Sequence, residues 1–570
     1  MFIGKSRALF SRVSLSALVL SLFVLSHAGC FSEDAPEPFY GRVSPPKAQE
    51  FRWSDGGLPQ IFDPAFAAAP PDTDLVRAIF EGLTDYDPKT LQAVPAVASS
   101  WESSKDGREW TFYLREDARW SNGEPVTAHD FIQSWERTLK LGDKAPHTVL
   151  LENIEGVAKP VPTSTRDAAA VNNQKPSATE PVTPQKFGAE AVSQRVLRVR
   201  LQRPDMNFPA LVAHPVFRPV KPNDDPLKRI EPFELVSNGA FSFVSTGDDR
   251  VVLERAENYW GKEEVTLDRV AFVDAKNSES ALAAYRAGTV DAVTNAAFEP
   301  LAIKLLTPYR DFRRATYGAL TYYSFNTTRE PLDDVRVREA LAIAIDRDRI
   351  TQAEMGGATI PAKKFLPVEM AEGVQPVVGK TDLLERDVER ARELLAEAGF
   401  PDGNGFPKLR LLVNRNEQQR LVSQSIAAMW RTVLNIETEI VMLGWDDYEQ
   451  AIREGNYDVV RRGVVMQTTD EFTNFKLMFN HDPTASVNTD SATDAVAKVD
   501  SGDSSEALRK HEPIESEEQA LRQLKAVPIY FASSYALVKP YVIGFNSNVL
   551  DAPSLKTVRI DTSWSEQKAR

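Results

Sequence analysis

Histidine, cysteine and paired carboxylates are where reactive chemistry would reside in this chain, and their spacing decides whether they can act together. In "WTFYLREDARWSNGEPVTAHDFIQSW", residues 110–135, His129 stands beside Asp130, the composition of a general-base pair. Thr127 and Asp130, however, have capping-box spacing, and Phe131, Ile132, Trp135 and Leu139 follow as an apolar stripe at helical period. Adjacent residues on a helix do not face each other, so the stretch predicts a helix start and no orienting pair. The six histidines, at 27, 129, 147, 214, 481 and 511, show no metal-ligand spacing, and Cys30 is the single cysteine in the chain. No G-x-S-x-G elbow occurs, and the Gly-Lys-Ser at 4–6 lacks the rest of a P-loop. Asp333-Asp334 and Asp446-Asp447 have the placement of caps and solvated faces. No catalytic residue, metal or cofactor is expected, and the chain does not read as an enzyme.

The elements around these residues alternate in type. Trp110, Phe112 and Leu114 alternate with Thr111, Tyr113 and Arg115 as in a half-buried strand, and Leu197, Val199 and Leu201 repeat the period of two. In "DDVRVREALAIAIDRDRI" the apolar set Val337, Ala340, Leu341, Ala344 and Ile345 follows helical spacing behind Asp334 as N-cap. "DVERARELLAEAGF" does the same with Val388, Ala391, Leu395 and Ala398 and stops at Gly399. Strands interspersed with helices predict α/β lobes. At 570 residues the chain exceeds one hydrophobic core, and 42% hydrophobic with 9% aromatic residues predicts a packed interior. The formal charge of −14 argues against nucleic acid as a partner.

The N-terminus reads as an export signal: Lys5, Arg7 and Arg12, an apolar run from Ser14 to Leu25, then Ala28-Gly29 before Cys30. The run is too short to span a bilayer. Cys30 sits as in a lipobox, with His27 where an aliphatic residue is usual, so residues 1–29 are expected to be removed and Cys30 lipidated. A membrane-anchored protein in the periplasmic space or on the cell surface results. Residues 30–48, with four prolines, read as anchor and tether, and the proline-rich, aromatic-free stretch 157–186 as an exposed flexible insertion.

Several blocks then acquire a common meaning. "IFEGLTDYDP" at 79, "PAVASSWE" at 95, the 110–135 stretch, "VSNGAFSF" at 236, "VVLERAENYW" at 251 and "YRAGTVDAV" at 285 come first. "TYYSFNTTREPLDDVRVREALAIAIDRDRI" at 321, "ARELLAEAGF" at 391 and "VPIYFASSYALVKPYVIGF" at 527 follow. In type and order they resemble the extracellular solute-binding proteins of family 5, the oligopeptide- and dipeptide-binding proteins that feed ABC importers. The resemblance covers nearly the whole chain after the signal. It implies an α/β, two-lobed periplasmic-binding-protein-like fold of the large cluster-C type, with an extra subdomain. Lobe I would comprise 49–80, 223–318 and 532–565, the subdomain 81–222 and lobe II 319–531. It also implies a monomer that captures a peptide or peptide-like ligand by hinge closure and delivers it to ABC permease subunits.

Carried over residue by residue, the resemblance places Thr294, Asn295, Tyr323, Trp445, Arg461, Gly463, Gln467 and Tyr530 at the ligand. Packing is the competing account for Trp445 and Tyr530, whereas a buried Arg461 needs an acidic or carbonyl partner. The departures are specific. Gln467 or Thr468 stands where the peptide binders have an aspartate for the ligand's α-ammonium, with Asp470 only a few residues on. Val464-Val465 replace a Trp-Cys pair, Ala68 replaces an acid, and His147 a tyrosine. Without that carboxylate, a sugar or opine-like solute, or a sensing or chaperone-like use of the same cleft, remains open.

Overall fold

The computed structural model describes residues 39–157, 186–221, 225–367, 384–480 and 513–565. Cys30, the export signal and nearly all of the 157–186 insertion lie outside the described residues. Local sequence rules are obeyed where they are strongest. Asp130 Oδ2 accepts from the Thr127 backbone N–H at 2.7 Å and its hydroxyl at 2.9 Å, opening the helix Ala128–Leu141. His129 points to solvent. Asp334 caps the helix Val335–Ile343, and its five expected apolar residues are all buried. The helix Val388–Glu397 ends with Ala398 as its cap, one residue earlier than expected, and Gly399 follows at φ +97°. In the strand Glu109–Leu114, Trp110, Phe112 and Leu114 are buried and Tyr113 is exposed.

One eleven-stranded sheet runs through both lobes. Its order is 438–443, 409–414, 459–465, 312–325, 526–538, 292–294, 50–55, 269–273, 250–255 and 241–246, with 359–361 paired to 526–538 off that path. Two long antiparallel strands, Phe312–Phe325 and Ala526–Val538, cross from one lobe to the other. At the lobe I end Leu537 and Val538 pair with Val293 and Ala292, and at the lobe II end residues 319–325 pair with 459–465. Their register shifts between Thr316 and Leu320. There Gly318 leaves the partner strand, its N–H reaching the Val549 carbonyl at 2.7 Å and its own carbonyl accepting from Met466 at 2.9 Å.

A second, four-stranded sheet of 98–103, 109–114, 196–200 and 189–193 carries the subdomain. Its buried face merges with lobe I, since Phe51, Trp53, Phe112, Trp135, Phe241 and Val538 belong to one continuous core. Lobe II has its own core around Trp430, Leu411 and Val337. Of the stretch read as a tether, Tyr40 is bound to lobe I: its N–H donates to Asp311 Oδ1 at 2.9 Å and its carbonyl accepts from Lys539 Nζ at 3.0 Å.

A buried ion pair fastens the subdomain to lobe I. Arg137 Nη1 and Nη2 donate to the two oxygens of Asp63 at 3.0 and 2.6 Å, and the same guanidinium reaches the carbonyls of Pro226 and Lys228. Both side chains are almost fully buried, so removing one partner strands the other without solvent. Asp63→Ala is expected to lower the unfolding free energy by about 3–5 kcal/mol. The paired replacement Asp63→Leu with Arg137→Met should recover part of that loss, both read by denaturant titration.

Candidate functional site

In lobe II the ladder itself creates an opening. Asn326 N–H bonds the Asp458 carbonyl and Met466 N–H the Gly318 carbonyl, so the hydrogen-bonded pairs between the two strands are the even-numbered residues. The backbone N–H and carbonyl groups of Arg461, Gly463 and Val465 therefore point to the opposite edge. That edge is covered by the strand 409–414 only at Val459 and Val460. Beyond them the Tyr448 hydroxyl donates to the Arg461 carbonyl, and Gln467 Nε2 reaches the Val465 carbonyl at 3.3 Å. Among the described residues, the N–H and carbonyl of Gly463 have no partner across that edge.

Side chains complete this platform. The Arg461 guanidinium folds back along its own strand, where a Cβ on Gly463 would come within 3.2 Å of Nη2. It donates to Thr321 Oγ1 at 3.3 Å, its Nε has no partner, and no carboxylate pairs with it among the described residues. Trp445 is 62% exposed and leans on Tyr448 with ring centroids 5.7 Å apart, so it is not a core aromatic. Tyr323, which pairs in register with Arg461, and Tyr530, whose hydroxyl accepts from Gln419 Nε2 at 2.9 Å, are both buried in the lobe II core.

Thr294 and Asn295 lie apart from that group, on lobe I. Asp55 and Thr294 end two parallel strands as register partners. Asp55 Oδ1 accepts from Thr294 Oγ1 at 2.6 Å and from Asn295 Nδ2 at 2.7 Å, and Thr294 Oγ1 accepts from Trp53 Nε1 at 2.7 Å. Asn295 itself is exposed, in the left-handed region at φ +51°.

The loop 467–476 rests on the subdomain. Asn207 Nδ2 donates to Thr469 Oγ1 at 3.3 Å. Arg203 lies 3.5 Å above the Phe472 ring, and Lys476 pairs with Glu152. Asp470 is spent as the N-cap of the helix Glu471–Phe475, its Oδ2 accepting from Thr473 N–H at 2.7 Å. No acid of this loop reaches the place that Gln467 occupies.

Sequence reasoning missed Asp55, Asp74, Asp551, Tyr448 and the partnership of His147 with His214. The one available signal was Asp55 closing an alternating strand just before Gly56-Gly57.

A sequence profile described as bacterial extracellular solute-binding proteins, family 5 middle, matches residues 92–486. The chain belongs to family 5 of the bacterial extracellular solute-binding proteins. As a family 5 protein it is a two-lobed binding protein and not an enzyme. The periplasmic murein peptide-binding protein MppA of Escherichia coli (strain K12) is 29% identical over 498 residues, which are 86% of this chain and 89% of that one. The periplasmic oligopeptide-binding protein OppA of Salmonella typhimurium (strain LT2) is 29% identical over 513 residues, with the same coverages. Against MppA in its unliganded open form the TM-score is 0.72 at 27% identity, covering 91% of this chain and 98% of that one. A second structure of MppA from Escherichia coli, equally identical and covering 91% and 99%, gives 0.60. Of these two structures, the higher score is against the unliganded open form.

Near the rim, His147 and His214 stack edge to face with ring centroids 4.8 Å apart. Burial pushes both rings below the ordinary histidine range, and for His214 the neighbouring His147 and Arg77 add to it. A ring whose folded pKa lies below its unfolded value contributes stability that is present above about pH 6.5 and is lost as the pH falls through the lowered value. Asp551 runs the other way, since burial raises its carboxyl to about 6 and its charge costs stability above that pH. Comparison of variants separates the two: His147→Gln with His214→Asn should flatten the fall in unfolding free energy between pH 6.5 and 5 relative to the unaltered protein.

Proposed function

We propose that this family 5 protein is an exported, lipid-anchored capture protein of an ABC importer. It takes a peptide or peptide-like ligand in the cleft between the lobes and hands it to a permease. The observation that carries the reading is the strand edge open at Gly463, between the Arg461 carbonyl taken by Tyr448 and the Val465 carbonyl taken by Gln467. An extended peptide offers a matching row of backbone donors and acceptors and can add there as a further strand, while side chains are left to roomy surroundings. Arg461, which lacks an acidic partner, suits a ligand carboxylate or carbonyl, and the exposed Trp445 supplies an aromatic surface. Thr294 and Asn295 meet the ligand from lobe I, and Gln467 from the rim. Tyr323 and Tyr530 support Arg461 and Gln419 from behind.

In this reading lobe I is built from 49–80, 223–318 and 532–565, the subdomain from 81–222 and lobe II from 319–531. Closure turns on the crossing strands at Thr316–Leu320, where the ladder is already broken. Ligand shifts the open protein to the closed one through contacts made only when both lobes touch it, and the permease reads the closed shape. The relatives support this, MppA by its name as a murein peptide binder and OppA as an oligopeptide binder. Asp470 as a committed cap favours one other reading, a non-peptide solute. A relative at 26% identity over 87% of this chain is described as a probable deoxycholate-binding periplasmic protein.

The deciding measurement is thermal melting of the full chain with a pool of free three- to five-residue peptides. At 100 times its dissociation constant a bound peptide stabilises the native state by about 2.7 kcal/mol. No shift would turn the search to non-peptide solutes. Trp445→Ala and Arg461→Ala should each weaken peptide binding at least tenfold by calorimetry while changing stability by no more than about 0.5 kcal/mol, as expected of substitutions outside the core. Full affinity in both removes them from the site. Cys30→Ser should move the protein from the membrane fraction to the soluble fraction, and unchanged fractionation overturns the anchor.

A further inference from the structure

The open residue on the lobe II edge is bounded on both sides, and the bounds are side chains of this same chain. The strand Val459–Val465 turns its odd-numbered peptide groups outward, and the strand 409–414 covers them only as far as Val460. Tyr448, from the helix Trp445–Arg453, donates its hydroxyl to the Arg461 carbonyl. Gln467, two residues past the end of the strand, donates from Nε2 to the Val465 carbonyl at 3.3 Å. Between them, among the described residues, Gly463 keeps its N–H and its carbonyl unbonded across that edge. Unpaired strand edges invite further strands, and proteins blunt or cover them. Here the blunting leaves out one residue.

Both stops are held from behind. Tyr448 is buried in a core with Leu412, Ile452 and Val460, which fixes its hydroxyl at the Arg461 carbonyl. The backbone after Gln467 is pinned, since Thr468 and Asp470 are buried and Asn474 Nδ2 donates to the Thr468 carbonyl at 2.8 Å. Thr468 Oγ1 also accepts from the Asp470 N–H at 3.1 Å. The residue left open is a glycine whose φ is not in the left-handed region, so its conformation does not call for glycine. A Cβ there would come within 3.2 Å of Arg461 Nη2 and 3.5 Å of Cζ. Its missing side chain leaves room for the guanidinium beside the open peptide groups, and glycine inside a strand often marks the close approach of another backbone.

We propose that Gln467 and Tyr448 set the length of ligand that this edge rewards, limiting a bound peptide to one hydrogen-bonded residue. The inference rests on the capture reading above and deepens it, naming the ligand class as short peptides with the tripeptide as the shortest full match. An added strand bonds a given edge only at every second residue. A ligand residue that pairs with Gly463 must therefore offer an amide N–H and an amide carbonyl of its own. Neither residue of a dipeptide has both, because the first carries the ammonium and the second the carboxylate. The middle residue of a tripeptide does. A fourth and fifth residue bring the next pairing groups opposite Val465 or Arg461, whose carbonyls are already engaged. The Gln467 amide thus stands where a further peptide N–H of the ligand would stand, and extra residues add length without adding ladder.

Calorimetry on the full chain with dialanine, trialanine and penta-alanine tests this. The unaltered protein is expected to bind trialanine and penta-alanine within about threefold of each other, and dialanine more weakly, since the edge offers one paired residue. Gln467→Ala frees the Val465 carbonyl and should make penta-alanine tighter than trialanine by about tenfold, the fold-change of one to two net hydrogen bonds. Tyr448→Phe keeps the ring, frees the Arg461 carbonyl and should raise the same ratio by about fivefold, for one bond. The ratio is taken within each variant, so a partial loss of folded protein lowers both affinities alike and leaves it unmoved. Penta-alanine favoured more than threefold by the unaltered protein, a ratio that neither variant raises, or dialanine bound as tightly as trialanine overturns the length limit while leaving peptide capture standing. Failure of all three peptides to bind removes the capture reading and the length limit with it.

Discussion

Everything in this molecule hangs on the pairing of two strands. Among the described residues, Phe312–Phe325 and Ala526–Val538 are the segments that belong to the sheet of both lobes, and a hydrogen-bonded ladder resists shear along its length far more than it resists local twisting. The ladder is broken at Thr316–Leu320, and its register shifts again between Thr321 and Tyr322. Because the break is a bulge, it also redirects a side chain: Tyr317 turns toward lobe I acids and Gly318 is held from both sides by Val549 and Met466. The break in the ladder thereby lies beside buried acids of the neighbouring lobe.

The two lobes each hold incompletely paired charge, of opposite sign. Lobe II presents a guanidinium, at Arg461, with only a threonine hydroxyl for company. Lobe I presents carboxylates with one guanidinium among them. Each group forgoes a partner that would have been cheap to supply, as the fully paired Asp63–Arg137 and Asp85–Lys556 show within the same fold.

Legibility from sequence followed the range of the interaction. The capping box at Thr127 and Asp130 and the helix behind Asp334 are set by residues a few positions apart, and both formed as expected. The strand alternation at Trp110–Leu114 likewise reports only which face is buried. Arg461 and Gly463 could be placed by resemblance, but the openness of their strand edge depends on which ladder pairs carry the bonds, and no local pattern encodes that. Asp55, Asp74 and Asp551 are isolated acids in sequence, each ordinary by itself, and only the fold makes them neighbours. His147 and His214 are alike in this: a scan for ligand spacing passes over two rings that meet by tertiary packing. Tyr323 and Tyr530 show the converse, since their identity suggests contact with ligand while their burial assigns them to the core.

The beginning of the folded chain is held by its end. Gln49 donates through Nε2 to the Ile560 carbonyl at 2.8 Å and accepts from the Ile560 N–H at 2.9 Å, across 511 positions of sequence. At roughly 5–20 residues per second a ribosome takes about 25 to 100 s to make the intervening chain. The strand 50–55 meets its neighbour 269–273 early in that interval, and the clasp between Gln49 and Ile560 is the late contact.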